Sequence, residues 1–302
     1  MWFVAALLVA DSAPATQAFK VVVAPAESLY VETVGRGKGE PVVLIPGLFG
    51  SAYGFRKVMP LLAASGYRAI VIEPLGIGSS ARPQKANYSL TAQADRIAAV
   101  LDSLHVASAW LIAHSIGGSE VFRLAYRRPG LVRGLVSIEG GPTEQAITPA
   151  FKRALRFAPW IKLFGGIKLI RRKIKSLLMD SSGDSSWVTD SVVAGYTAGA
   201  ARNLDATLKA YLAMADAREP IKLAPHLAEV GCPVRLLVGA TRHDGDVSAK
   251  EVALLGRALP RFALDSIPGV GHFMQEERPD VVLAALGRLK ASVTAVRPRG
   301  SQ

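Results

Sequence analysis

Short, almost uninterrupted apolar runs alternate with longer stretches of helical periodicity along this chain. The runs fall at residues 41–45, 68–72, 110–112, 134–138 and 234–238. A strand that is apolar at consecutive positions must bury both of its faces, which happens where helices cover a parallel sheet on each side. Two earlier pieces, residues 19–24 and 28–34, read as an antiparallel entry to that sheet. The expected fold is therefore α/β, a doubly wound, mostly parallel sheet. Between strands, Thr91 to Leu104 reads as a helix capped by Thr91, with Ile97, Val100, Leu101 and Leu104 at helical spacing.

The alternation stops near Gly140-Gly141-Pro142 and resumes at Gly231-Cys232-Pro233. The residues between look helical, as expected of an insertion that caps the functional edge of the sheet. This divides the chain into an N-terminal segment (1–18), a core (19–141 and 231–290), a helical cap (142–230) and a C-terminal tail (291–302). Residues 2–10 are apolar, too short to span a bilayer as a helix but long enough for a signal-peptide core, and no basic residue precedes them. Export and a cytoplasmic location both stay open. The single cysteine, Cys232, excludes an internal disulfide framework and reads as a buried structural thiol.

The net charge of +12 is concentrated: nine Lys and Arg residues fall between Lys152 and Lys175, with no acid among them. Basicity confined to one segment suits a local anionic surface and argues against a nucleic-acid-binding fold. Within it Ile167, Ile170, Ile174, Leu177 and Leu178 share one helical face. That face either packs on the core or, in the sharper reading, meets an anionic membrane surface.

The most telling local motif is Ala113-His114-Ser115-Ile116-Gly117, set between an apolar strand and a helical run. A serine among small residues at a strand-to-helix turn forms a nucleophile elbow, which lifts its Oγ above the sheet. Ala113 stands where glycine is usual, and alanine is the mildest replacement. Ser115 is thus the candidate nucleophile of a serine hydrolase.

Together these residues resemble the α/β-hydrolase fold family, over about residue 28 to residue 290 apart from the cap. Leu44 to Gly50 is similar to the family's oxyanion loop after the third strand, with Pro46 where histidine is common. Ile72 to Ser80 resembles the glycine-rich loop after the next strand, with Glu73 in the place of aspartate. Gly269-Val270-Gly271-His272-Phe273 is similar to the segment that carries the catalytic histidine. The resemblance implies His272 as the general base that takes the proton of Ser115 and returns it to the leaving group. It implies Asp244 as the carboxylate that orients this imidazole, with Asp246 and Glu139 as alternatives. It further nominates the backbone N–H groups of Leu48 and Ile116 as the oxyanion hole, with Phe49 as the near alternative to Leu48. His114 should point away from Ser115, while His105, His226 and His243 receive no role.

No His-x-x-x-His or paired-cysteine spacing indicates a metal, and no Gly-x-Gly-x-x-Gly turn indicates a dinucleotide, so neither metal nor cofactor is expected. The leading expectation is a serine carboxylesterase or lactonase acting on an apolar small-molecule ester. Serine disfavours the branches of the family that attack with aspartate. Thioesterase, lipase and carbon–carbon bond hydrolase activities, or a non-catalytic ligand-binding role on the same scaffold, are the alternatives.

Overall fold

The computed structural model describes residues 16–155, 166–243 and 245–294. The apolar run at residues 2–10, part of the basic segment and Asp244 lie outside the described residues. Eight strands appear in chain order: β1 (Gln17–Ala24), β2 (Glu27–Val34), β3 (Glu40–Ile45), β4 (Tyr67–Ile72), β5 (Ala109–His114), β6 (Val132–Ile138), β7 (Val234–Gly239) and β8 (Phe262–Ile267). They form one sheet in the order β1-β2-β4-β3-β5-β6-β7-β8. β1 and β2 pair antiparallel with each other and β2 with β4, and every pairing from β4 to β8 is parallel.

Successive residues of the central strands feed two different cores, which is why their sequences run apolar without interruption. On one face Val43 and Ile45 pack with helices α2 (Leu90–Ser103) and α3 (Ile116–Arg127), through Ile97, Leu101, Val121 and Phe122. On the other, Val42 and Leu44 pack with α1 (Val58–Ala64) and a C-terminal helix, Pro279–Thr294, through Leu62, Val282 and Leu286. That last helix runs past residue 290, where the sequence places the start of a tail.

Two local features differ from the sequence reading. The helix after β4 is capped by Ser89, whose Oγ accepts from the Ala92 N–H, while Thr91 lies inside the first turn and donates to Glu219. Strand β8 is missing from that reading. It is an edge strand of alternating, half-exposed character, with Leu264 exposed and Asp265 paired to Arg235 and Arg288. A strand buried on neither face carries no continuous apolar run.

Between β6 and β7 the described chain is helical: α4 (Pro149–Leu155), α5 (Gly166–Asp180), α6 (Asp190–Tyr196), α7 (Ala198–Arg202) and α8 (Leu204–Asp216). The apolar face of α5 turns inward. Ile174 and Leu178 are buried with Val188, Val192, Val193, Tyr196 and Phe273. Some of its cations are held locally, Lys175 by Asp190 and Arg171 by the Thr197 hydroxyl. Among the described residues no helix is long and apolar enough to cross a membrane. Cys232 is partly buried against the core, and burial pushes its thiol up to about 11, which leaves it inert at neutral pH.

One buried acid tests this packing. Glu120, on α3, is 4% exposed, its Oε2 has no hydrogen-bond partner among the described residues, and burial raises its carboxyl to about 8. The unfolded chain ionises this group near 4.5 and the fold only near 8, so folding retains a proton across that interval. Its contribution to stability is therefore lost as pH rises between those values, by at most about 1.4 kcal/mol per unit. Glu120→Gln is expected to remove that loss. In denaturant melts the variant should gain on the wild type up to a pH of about 8 and run parallel to it above.

Candidate active site

Strand order reverses between β3 and β5, and the carboxyl ends of β3, β5, β6, β7 and β8 open on one edge, where ligands of such sheets bind. At the end of β5, Ser115 adopts φ 53° and ψ −126°, a conformation that a side chain with a Cβ rarely takes. Its N–H donates to the Ile138 carbonyl at 2.8 Å, and its own carbonyl accepts from Gly118 at 2.9 Å. The turn works only because its neighbours lack side chains. A Cβ on Gly47 would sit 2.9 Å from Ser115 Cβ, and one on Gly117 would sit 2.8 Å from the Ile45 carbonyl. Ala113 is fully buried within the strand, so the alanine in place of glycine is accommodated.

Beside the serine, the backbone N–H groups of Leu48, Phe49 and Ile116 donate to no group among the described residues. The Tyr211 hydroxyl, from α8, donates to the Leu48 carbonyl at 2.8 Å and ties this loop to the helical insertion. The Phe49 ring packs edge-on against Phe151 and Tyr211. Glu73 braces the same loop from below: its carboxylate accepts from the Ala52 N–H at 2.8 Å and from the Ser79 N–H. Burial raises this carboxyl to about 7.

His272 follows β8 on a glycine-bearing turn and is 9% exposed. Its N–H donates to the Ser181 carbonyl at 2.7 Å, and its own carbonyl meets His114 Nε2 at 3.0 Å. His114 supports the His272 backbone in this way and borders the same cavity as Ser115, and burial lowers its imidazole to about 4. Burial, together with the neighbouring His114 and His243, holds the His272 imidazole well below the ordinary histidine range, so the ring is a neutral acceptor. Ser115 and His272 line one cavity of about 420 Å³ with Leu48, Phe49 and Ile116. No hydrogen bond joins the hydroxyl to the imidazole in this arrangement.

The carboxylate side is more crowded than the sequence suggests. Asp244 lies outside the described residues. Asp246 is exposed and acts on the cluster through the charge it presents to His243. Glu139, directly after β6, is 2% exposed and has a φ of 48°. One of its oxygens accepts from the Gly239 N–H, and the other lies 3.5 Å from His243 Nε2.

His243, given no role by the sequence, is 7% exposed, and its Nδ1 lies 2.7 Å from the Thr241 carbonyl. A carbonyl only accepts, so Nδ1 carries the hydrogen and Nε2 faces Glu139. Burial alone would lower this imidazole; the Glu139 carboxylate and the Thr241 carbonyl outweigh it and raise it. Glu139, His243 and His272 each present one donor atom within 4.8 Å of the others, a set that could also ligate a small cation. Sequence spacing alone does not show this grouping. The buried Nδ1 of His272 has no hydrogen-bond partner among the described residues.

Residues 40–167 match the family model described as the alpha/beta hydrolase fold. A magnesium-chelatase 30 kDa subunit of Rhodobacter capsulatus is 31% identical over 262 residues, spanning 83% of this chain and 87% of its own length. The chain belongs to the α/β-hydrolase fold family. It is also 25% identical over 255 residues to the uncharacterized hydrolase YugF of Bacillus subtilis, 84% of this chain and 91% of that protein. Among solved structures, Cfl2 from Burkholderia cenocepacia superposes with a TM-score of 0.71 at 22% identity, covering 90% of this chain and 95% of that one. This α/β-hydrolase is accordingly a hydrolase by family, with an eight-stranded sheet and a helical insertion.

The strain at the elbow is measurable. Glycine adopts the φ of 53° without a Cβ clash, so Ser115→Gly is expected to be more stable than Ser115→Ala by about 1 kcal/mol in denaturant melts.

Proposed function

We propose that this protein hydrolyses a carboxylic ester or lactone through an acyl-enzyme on Ser115. One observation carries the reading: a serine held in a strained turn opens into the same cavity as a buried neutral imidazole, beside backbone N–H groups that have no partner within the described protein. Ser115 Oγ attacks the carbonyl carbon as its proton passes to His272 Nε2, and the carbonyl π electrons move to oxygen. The N–H groups of Leu48 and Ile116 hold that oxyanion. Its collapse breaks the bond to the leaving alkoxide, which takes the proton from His272. Water, deprotonated by the same imidazole, then cleaves the acyl-enzyme and regenerates the hydroxyl.

The imidazolium formed in each step calls for a carboxylate. Asp244 is the candidate by loop resemblance, Glu139 is the described carboxylate that lies nearest the histidine pair, and Asp246 is the exposed third. A second reading, ligand binding without turnover inside a larger assembly, is supported by the name of the Rhodobacter capsulatus relative.

Hydrolysis of p-nitrophenyl butanoate separates the two. Ser115→Ala and His272→Ala are each expected to lower kcat by roughly 10⁴ to 10⁶ while circular dichroism stays unchanged. Substantial activity left in Ser115→Ala would overturn the mechanism. Among Asp244→Ala, Glu139→Ala and Asp246→Ala, the orienting acid is the one whose loss of kcat is largest.

A further inference from the structure

A second cavity, of about 480 Å³, adjoins the catalytic one and shares five wall residues with it: Phe49, Gly50, Phe151, Leu177 and Tyr196. Each cavity has the size of a small-molecule site. The walls of the second are largely aliphatic, supplied by the inward faces of α5 and α8, for example Ile170, Ile174 and Leu208. Such a chamber suits a hydrocarbon arm extending from the scissile carbonyl.

One residue in the wall does not fit that description. Arg82 lines this chamber and also a smaller cavity of about 360 Å³. Its guanidinium donates to the carbonyls of Ser80, at 3.0 Å, and Gly78. Among the described residues its buried Nε has no acceptor and no carboxylate forms an ion pair with it. Arg123, Arg96 and Arg235, by contrast, are each neutralised, Arg123 by Glu144 and Glu219, Arg96 by Glu27, and Arg235 by Asp265. Glu73 is the acid whose charge reaches Arg82, but its oxygens are committed to the Ala52 and Ser79 N–H groups and burial holds much of it protonated near neutrality. Arg202, bonded to the Ser79 hydroxyl, adds a second positive charge nearby, and Lys173 stands in the wall of the same chamber.

A partly buried cation without a carboxylate partner among the described residues favours an anion that arrives with the ligand. Resting on the reading of Ser115 as an ester-cleaving nucleophile, we propose that the substrate is an amphiphile. Its apolar arm fills the second chamber and ends in a carboxylate that pairs with Arg82. Arginine binds a carboxylate through directional, charge-assisted hydrogen bonds, so the pairing would select for the length of the arm as well as its charge.

Two ester series test this, p-nitrophenyl alkanoates from butanoate to dodecanoate and mono-p-nitrophenyl esters of the α,ω-dicarboxylic acids of matching length. At one chain length the terminal carboxylate is expected to raise kcat/KM by about tenfold, mainly through KM. Arg82→Met should abolish that advantage, read within the variant as the ratio of kcat/KM between the two series at matched length. Arg82→Lys, which keeps the charge if the Gly78 loop needs a donor, should retain part of it. The absence of a carboxylate preference at every length, or a preference that survives in Arg82→Met, overturns the proposal. If the wild type cleaves no ester, the hydrolytic reading fails on its own, and calorimetric titration with dodecanedioate still decides this one. Binding lost in Arg82→Met supports it, and no binding by the wild type overturns it.

Discussion

Everything at the sheet edge depends on one backbone contact, the Ser115 N–H donated to the Ile138 carbonyl across the ends of two parallel strands. It holds the serine in a left-handed turn while β5 is still paired with β6, so the chain reverses into α3 without leaving the sheet. The third strand must then pass close enough for Gly47 to lie against Ser115, and α3 close enough for Gly117 to lie against Ile45. Local strain of this kind persists only where the surroundings over-determine it. Here the two apolar cores on either side of the sheet supply that constraint.

Around this turn the fold keeps a set of ionisable groups out of water, and burial shifts them in a consistent direction. Glu73 and Glu120 are raised, and His114 and His272 are lowered, so each favours its neutral form. His243 departs from this because Glu139 faces it. The result is a buried imidazole at His272 held toward its neutral form, with a buried carboxylate and a second imidazole beside it. The helical insertion participates through hydrogen bonds as well as by covering the site, since Tyr211 holds the Leu48 carbonyl and Ser181 holds the His272 N–H.

Much of this was legible in the chain because strands buried on both faces cannot hide their apolar runs, and β3 to β7 were all readable for that reason. β8 was not, because an edge strand exposed on alternate positions reads as a loop with a few apolar residues. Ser89 displaced Thr91 as the helix cap because Glu219, more than a hundred residues away, claims the Thr91 hydroxyl. His243 was passed over for a similar reason: its partner Glu139 follows a different strand, and no spacing rule links the two.

The chain by itself determined the layered α/β architecture, the elbow at Ser115 and the loop that carries His272, since each rests on residues adjacent in sequence: apolar periodicity, small side chains at a turn, glycines beside an imidazole. Only the tertiary structure decided which side chains share a cavity, that Glu139 and His243 stand together beside His272, and that Arg82 keeps its charge in an apolar wall without a carboxylate partner among the described residues. Those are matters of distance and desolvation between residues far apart in the chain, and they take values only once the sheet has brought its strand ends to one edge.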